Sequence, residues 1–215
     1  MIVPDHLKIW GRRAALNVQK VIWCAEELGI TYEQIDAGQH YGKNNETFFL
    51  DMNPNGRIPV IQLDTFVLWE SHAILRFLCN RSWGKVLPRP DEWQLAHSDQ
   101  WLDWISSALY YPTFRNYYLY QTRTPEAEKD PGRIQQMQSE VFAIFRILEG
   151  HLARNQFAAG PVLTPADFSI GVVVNKWLRI DPGLSDFSQI HRYHEMLSAR
   201  PLFKKHVHAY ALNAV

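Results

Sequence analysis

The feature that most constrains the fold is an ordered run of strand and helix signals in roughly the first 80 residues, followed only by helical signals. Residues 7–10 form a short apolar run that stops at Gly11. Val18, Val21, Ile22, Ala25 and Leu28 recur at helical spacing, and Gly29 supplies the stop. Residues 31–35 read as a second strand. A polar loop with Gly38 and Gly42 leads to a short helical stretch over 46–52. Asn53-Pro54-Asn55-Gly56 is a strong turn signal. Residues 58–63 and 66–69, joined by Asp64-Thr65, then read as a hairpin, and Ser71 opens a helix containing Ile74, Leu75 and Leu78. The order is β-α-β-α-β-β-α.

Residues 82–91 contain Gly84, Pro88 and Pro90, have no periodicity, and read as a linker. Long amphipathic runs over 92–111 and 132–154 follow, separated by a polar stretch around 122–131. Thr164-Pro165-Ala166-Asp167 places a capping hydroxyl, a proline at the first helical position and an acid in order. It starts a helix through Ile170, Val173, Val174 and Trp177, which Asp181-Pro182-Gly183 ends. Two more helices are expected over 187–199 and after Pro201. The chain thus divides into an α/β domain over 1–81, a linker over 82–91 and an all-α helical bundle over 92–215. A parallel crossover followed by an antiparallel hairpin is the arrangement of thioredoxin-like domains.

With 22 basic and 22 acidic side chains, the chain offers no electrostatic reason to bind nucleic acid or an anionic membrane surface. No stretch approaches the ~20 apolar residues of a spanning helix, and the N-terminus lacks a signal-peptide core, so a cytoplasmic protein is expected. Cys24 and Cys79 cannot make a CxxC pair or a metal cluster, and both fall inside helix patterns, where packing is the default role.

Glu70-Ser71 sits where a strand meets a helix. Unpaired N–H groups at a helix start attract a carboxylate, the serine hydroxyl can add a donor, and Glu70 can face an ammonium. Together they suit a zwitterionic amino-acid head group. The same pair is also an ordinary capping serine beside a solvated glutamate. At Ile58-Pro59 a proline opens a strand, and a cis bond there would turn the Ile58 N–H and C=O outward for an extended peptide to pair with. Most X-Pro bonds are trans, so an ordinary strand start competes with that reading.

Taken together, Gly38-Gln39-His40, Asn53 through Val60 and Trp69 through Ile74 resemble the cytosolic glutathione transferase family, theta-like and nu-like bacterial members above all. The resemblance covers nearly the whole chain, and Thr164-Pro165-Ala166-Asp167 matches the capping motif of a buried family helix. It implies that Glu70 and Ser71 bind the γ-glutamyl head of glutathione. It also implies that the Ile58 backbone pairs with the cysteinyl part beside cis-Pro59, and that His40 and Arg57 reach the glycyl carboxylate. It implies a homodimer, glutathione as co-substrate, and no metal or resident cofactor.

The thiolate-stabilising position departs from the theta-like pattern. The matching residue is Ala15, which has no hydroxyl; two residues on stands Asn17, where nu-like enzymes also carry asparagine. An Asn17 amide can donate to the glutathione sulfur, the helix start adds partial positive charge, and Arg12 or Arg13 adds field. Helix capping competes for the same side chain. Eight of the 28 aromatic residues fall between Trp101 and Tyr120. By resemblance this region borders the electrophile pocket, with Tyr110, Phe114, Tyr117, Tyr118 and Trp177 as its expected wall, suited to an apolar, aromatic substrate. Three functions follow: conjugation of glutathione to such an electrophile, glutathione-dependent reduction of a small disulfide, or glutathione binding without catalysis.

Overall fold

The computed structural model describes residues 6–84, 86–180 and 186–210. The first half is a four-stranded mixed sheet in the order β2-β1-β3-β4. Strand β1 (Lys8–Trp10) runs parallel to β2 (Glu33–Ile35) and antiparallel to β3 (Val60–Leu63), which pairs with β4 (Phe66–Trp69). Helix α1 (Leu16–Glu27) makes the parallel crossover, α2 (Thr47–Met52) precedes the hairpin, and α3 (Ser71–Ser82) closes the unit. This is the expected thioredoxin-like order.

Among the described residues the second half is helical: α4 (Glu92–Trp104), α5 (Leu119–Arg123), α6 (Pro131–Leu152), α7 (Pro165–Ile180), α8 (Ser188–Ser198) and α9 (Pro201–His206), with short 3₁₀ turns between some of them. The α-helix expected over 92–111 ends at Trp104. Ile105–Leu109 and Tyr111–Tyr118 continue as wider π-helical turns. Pro112 has no N–H to give to an α-helical ladder, so the chain cannot carry that pattern through this stretch. Asp181-Pro182-Gly183 lies outside the described residues.

The apolar stripe on α1 accounts for only one of its buried faces. Val18, Val21, Ile22 and Ala25 are joined inside by Gln19, Lys20, Trp23, Cys24 and Glu27. The second face meets the helical half, so one continuous core runs through both halves. Trp23 stands edge-on to Phe168 of α7 and Phe203 of α9, with ring centroids 4.8 and 4.9 Å away. Its indole N–H donates to Glu27 Oε1 at 2.9 Å, and the Arg200 guanidinium forks onto the same carboxylate. Gly171 of α7 leaves the space for this. A Cβ there would stand 2.6 Å from Leu197 Cδ1 and 3.2 Å from Trp23 Cζ3. Between α1 and α3 the fully buried Cys24 and Cys79 place their sulfurs 3.6 Å apart as free thiols, in packing roles.

The capping motif at α7 is built as expected. Buried Asp167 accepts from the Thr164 N–H and hydroxyl at 2.8 and 2.9 Å, from the Ala158 N–H at 2.8 Å and from the Tyr193 hydroxyl at 2.9 Å. Burial pushes this carboxyl up, and the four bonds oppose that. A third tie joins Glu26 of α1 to Lys205 at 2.8 Å and to the Tyr32 hydroxyl at 3.0 Å. Burial alone would raise the Glu26 carboxyl, but Lys205, His206 and Tyr32 hold it down to about 2.

Two outcomes are expected. Gly171→Ala should cost about 1–3 kcal/mol by overpacking against Trp23 and Leu197. Urea unfolding would show a lower midpoint at unchanged slope, and an unchanged midpoint would contradict the packing account. Because the folded Glu26 value lies below its unfolded one of about 4.3, its contribution is present above that pH and fades as pH falls toward 2. The stability lead of wild type over Glu26→Gln should therefore shrink between about pH 5 and pH 2, a comparison made by acid titration of both proteins.

Candidate active site

The mouth of the site is made by loops that small residues and amides hold in place. Gly11 adopts φ +146°, and a Cβ there would meet Val18 at 2.6 Å and Ile58 at 3.2 Å. Gly38, at φ +88°, leaves 3.1 Å to the tip of Ile58 in the same sense. Ile58 is thus wedged between the β1–α1 and β2–α2 loops. The turn before it is shaped by Asn53, whose amide donates to the Arg57 carbonyl at 2.7 Å while its oxygen accepts from the Asn55 N–H at 3.1 Å. Asn44 donates to the Gly56 carbonyl at 2.9 Å. The Ile58–Pro59 bond is cis, and Ile58 lies outside the ladder, which starts at Val60.

Two helices begin at this mouth. Ser71 is the buried first residue of α3, and Glu70 before it holds φ +69°, a left-handed conformation that costs a non-glycine residue about 1–3 kcal/mol. The Glu70 side chain does not cap the helix and is exposed beside the cleft. Helix α1 begins at Leu16 with Ala15 as its cap, which offers no side-chain bond. Asn17 is therefore not the cap. Its amide makes no hydrogen bond among the described residues, and it lines the cleft. One turn along the same helix, Lys20 is 1% exposed and also reaches the cleft. Burial lowers its ammonium to about 7, with the Glu70 charge pulling the other way. Arg12, lowered by burial, has its Nε and Nη1 buried without a partner among the described residues.

The cleft between the two halves has a volume of about 630 Å³. Its sheet side brings together Arg12, Asn17, Arg57, Ile58, Pro59, Glu70 and Ser71. Its helical side carries Tyr110, Phe114 and Tyr118, rings spaced four residues apart along the π-helical stretch, with centroids 5.5 and 6.2 Å apart in turn. His72 ties the two sides together, its Nε2 bonded to Ser169 Oγ at 2.8 Å and its Nδ1 to Ser106 Oγ at 3.0 Å. Burial first, then Lys20 and Arg76, lowers this imidazole to about 2, so it is a neutral strut.

Three expected site residues lie elsewhere. Tyr117 and Trp177 are buried against each other at 5.1 Å, in the core layer behind the cleft wall. Tyr117 turns to Trp177 and the core, while its neighbour Tyr118 turns to the cleft. His40 is exposed and lies against Tyr41 at 4.0 Å, in a short 3₁₀ turn outside the cleft lining. Beyond the residues expected from the sequence, Lys20, Arg115, Arg123 and Lys176 also line the cleft. The one usable signal was that Lys20 stands three residues after Asn17, on the same helix face.

Known proteins share this fold. A family model described as glutathione S-transferase, N-terminal domain, matches residues 5–80. The chain is 32% identical over 201 residues to glutathione S-transferase GstB of Escherichia coli, covering 93% of this chain and 96% of that one. It is 27% identical to glutathione S-transferase 3 of Zea mays over 96% of this chain and 95% of that one. The theta class glutathione S-transferase of Xanthomonas axonopodis pv. citri, solved with glutathione bound, superposes at a TM-score of 0.83. It is 31% identical and covers 94% of this chain and 96% of its own. On this fold, this cleft and this likeness along nearly its whole length, the chain belongs to the glutathione S-transferase family.

Proposed function

We propose that the protein is a transferase that joins the thiolate of glutathione to an aromatic electrophile. The observation that carries this reading is the uncommitted Asn17 amide at the cleft. With Ala15 as the helix cap, an Asn17 N–H is available to the glutathione sulfur, and the start of α1 adds partial positive charge. Both favour the thiolate over the thiol. That supports catalysis over binding alone. Buried Cys24 and Cys79 leave the enzyme no accessible thiol of its own among the described residues, so glutathione supplies the nucleophile.

In this reading Ser71 and the start of α3 receive the γ-glutamyl carboxylate while Glu70 faces its ammonium. The Ile58 backbone pairs with the cysteinyl part beside Pro59, and Arg57 takes the glycyl carboxylate. Arg12 adds positive field near the sulfur. Tyr110, Phe114 and Tyr118 flank the second substrate. Residues 1–81 would then form the glutathione half and 92–215 the electrophile half, joined by 82–91. Catalysis rests on positioning and thiolate stabilisation. Following the family resemblance, the enzyme works as a cytoplasmic homodimer that detoxifies electrophiles.

Asn17→Ala is expected to raise the pKa of bound glutathione by about one unit and to lower kcat/KM about 10- to 100-fold, read by thiolate absorbance and by conjugation of an aryl halide. If both stay at the wild-type values, Asn17 is not the thiolate donor. Lys20 gives a second test. An anion held near it favours the charged ammonium, so affinity should fall as pH rises through about 7. With S-methylglutathione, which has no ionisable thiol, Kd should rise up to about tenfold between roughly pH 6 and pH 8 in wild type. The profile should be flat in Lys20→Met, and a flat wild-type titration would remove Lys20 from the site.

A further inference from the structure

The chain is neutral as a whole, with 22 basic and 22 acidic side chains, but its cleft is not. Arg12, Lys20 and Arg57 line the sheet side, and Arg115, Arg123 and Lys176 line the helical side, against the single carboxylate of Glu70. Glutathione, bound as proposed above, meets the sheet-side cations and Glu70. The helical-side cations are left over. They stand among the rings that flank the second substrate: Lys176 Nζ lies 5.1 Å from the Tyr118 ring centre, and the Arg123 charge acts on the Tyr118 hydroxyl. Arg115 and Arg123 are exposed and make no hydrogen bond or ion pair among the described residues. Both also line a second recess of about 470 Å³, where Arg133 stands over the Tyr120 ring at 4.6 Å.

A wall meant only for apolar rings has no use for these charges. Unpaired guanidinium forks beside a ring wall can take a carboxylate or sulfonate in charge-assisted hydrogen bonds. The sheet side of the same cleft shows the same bias, with Lys20 buried and two Arg12 nitrogens buried without partners among the described residues. Among the described residues no carboxylate lines the helical side to neutralise it.

We propose that the second substrate is an anionic aromatic electrophile, its carboxylate or sulfonate held by Arg115 and Arg123 while its ring lies along Tyr110, Phe114 and Tyr118. This rests on the glutathione reading of the cleft and revises the expected apolar co-substrate to a charged one. For a chloroarene the step balances simply. The thiol proton passes to solvent, the glutathione sulfur forms a C–S bond at the ring carbon carrying chlorine, and chloride leaves with its bonding pair.

The test uses ligands that differ only in charge. The full-length protein is saturated with S-methylglutathione and titrated with 4-amino-3,5-dinitrobenzoate or with the corresponding neutral benzamide, following tryptophan quenching. The benzoate is expected to bind about tenfold tighter. That advantage should shrink in high salt and disappear in Arg115→Gln/Arg123→Gln, with S-methylglutathione affinity unchanged. Equal binding of the two ligands to wild type, or an advantage that survives the double substitution, overturns the proposal. Failure of the glutathione reading would show separately, as absent S-methylglutathione binding, and the benzoate–benzamide comparison still reads the helical wall in that case. Where the protein turns over, 4-chloro-3,5-dinitrobenzoate should show a correspondingly lower KM than its methyl ester.

Discussion

The structure depends on how closely α1 can approach α7. Trp23 fills that approach, and Gly171 leaves just enough room for it. Phe168 and Phe203 grip the indole by their edges, and the Glu27–Arg200 fork fixes the helix at its far end. Edge-to-face rings add about 0.5–1.5 kcal/mol each beyond the area they bury. The aim of α1 follows from this seat. Asn17 and Lys20, one turn apart at its start, face the cleft only because the rest of the helix is clamped between sheet and bundle. A site assembled from two halves of the chain therefore takes its precision from a contact well away from it.

The site also carries local costs. Glu70 sits in a left-handed conformation, Lys20 is buried, and two Arg12 nitrogens lack partners among the described residues. Local rules are broken at functional positions and compensated elsewhere. Here the compensation is visible: Asp167 with its four bonds, and one apolar core running through both halves. The neutral His72 strut, bonded at both nitrogens, holds the cleft walls at a set separation without adding a charge.

Much of this was legible in the sequence where short-range periodicity or turn chemistry decides the outcome. The strands, the Asn53–Arg57 turn, the capping motif at Thr164 and the Glu70–Ser71 junction all belong to that class. What was not legible depends on contacts between distant segments. Lys20 follows Asn17 and Gln19 in a polar run, and only the folded chain buries it. Tyr117 and Tyr118 are alike and adjacent, and only packing decides which faces Trp177 and which the cleft. The amphipathic run over 92–111 gives no hint of the wider turns over 105–118, because π-helical turns have no simple apolar period. Arg115 and Arg123 were overshadowed by the rings around them, and their meaning emerges only when the cleft's charges are counted together.

The paired sulfurs of Cys24 and Cys79 have a consequence of their own. Both thiols are sealed between α1 and α3, and burial together with the Cys79 neighbour pushes the Cys24 thiol up, away from its reactive anion. Exchange with a disulfide requires a thiolate that the attacking partner can touch. A catalyst that works with a cellular thiol is thereby insulated from the currency it handles. Swings in the ratio of reduced to oxidised glutathione change what enters the cleft and leave the scaffold's own sulfur chemistry untouched.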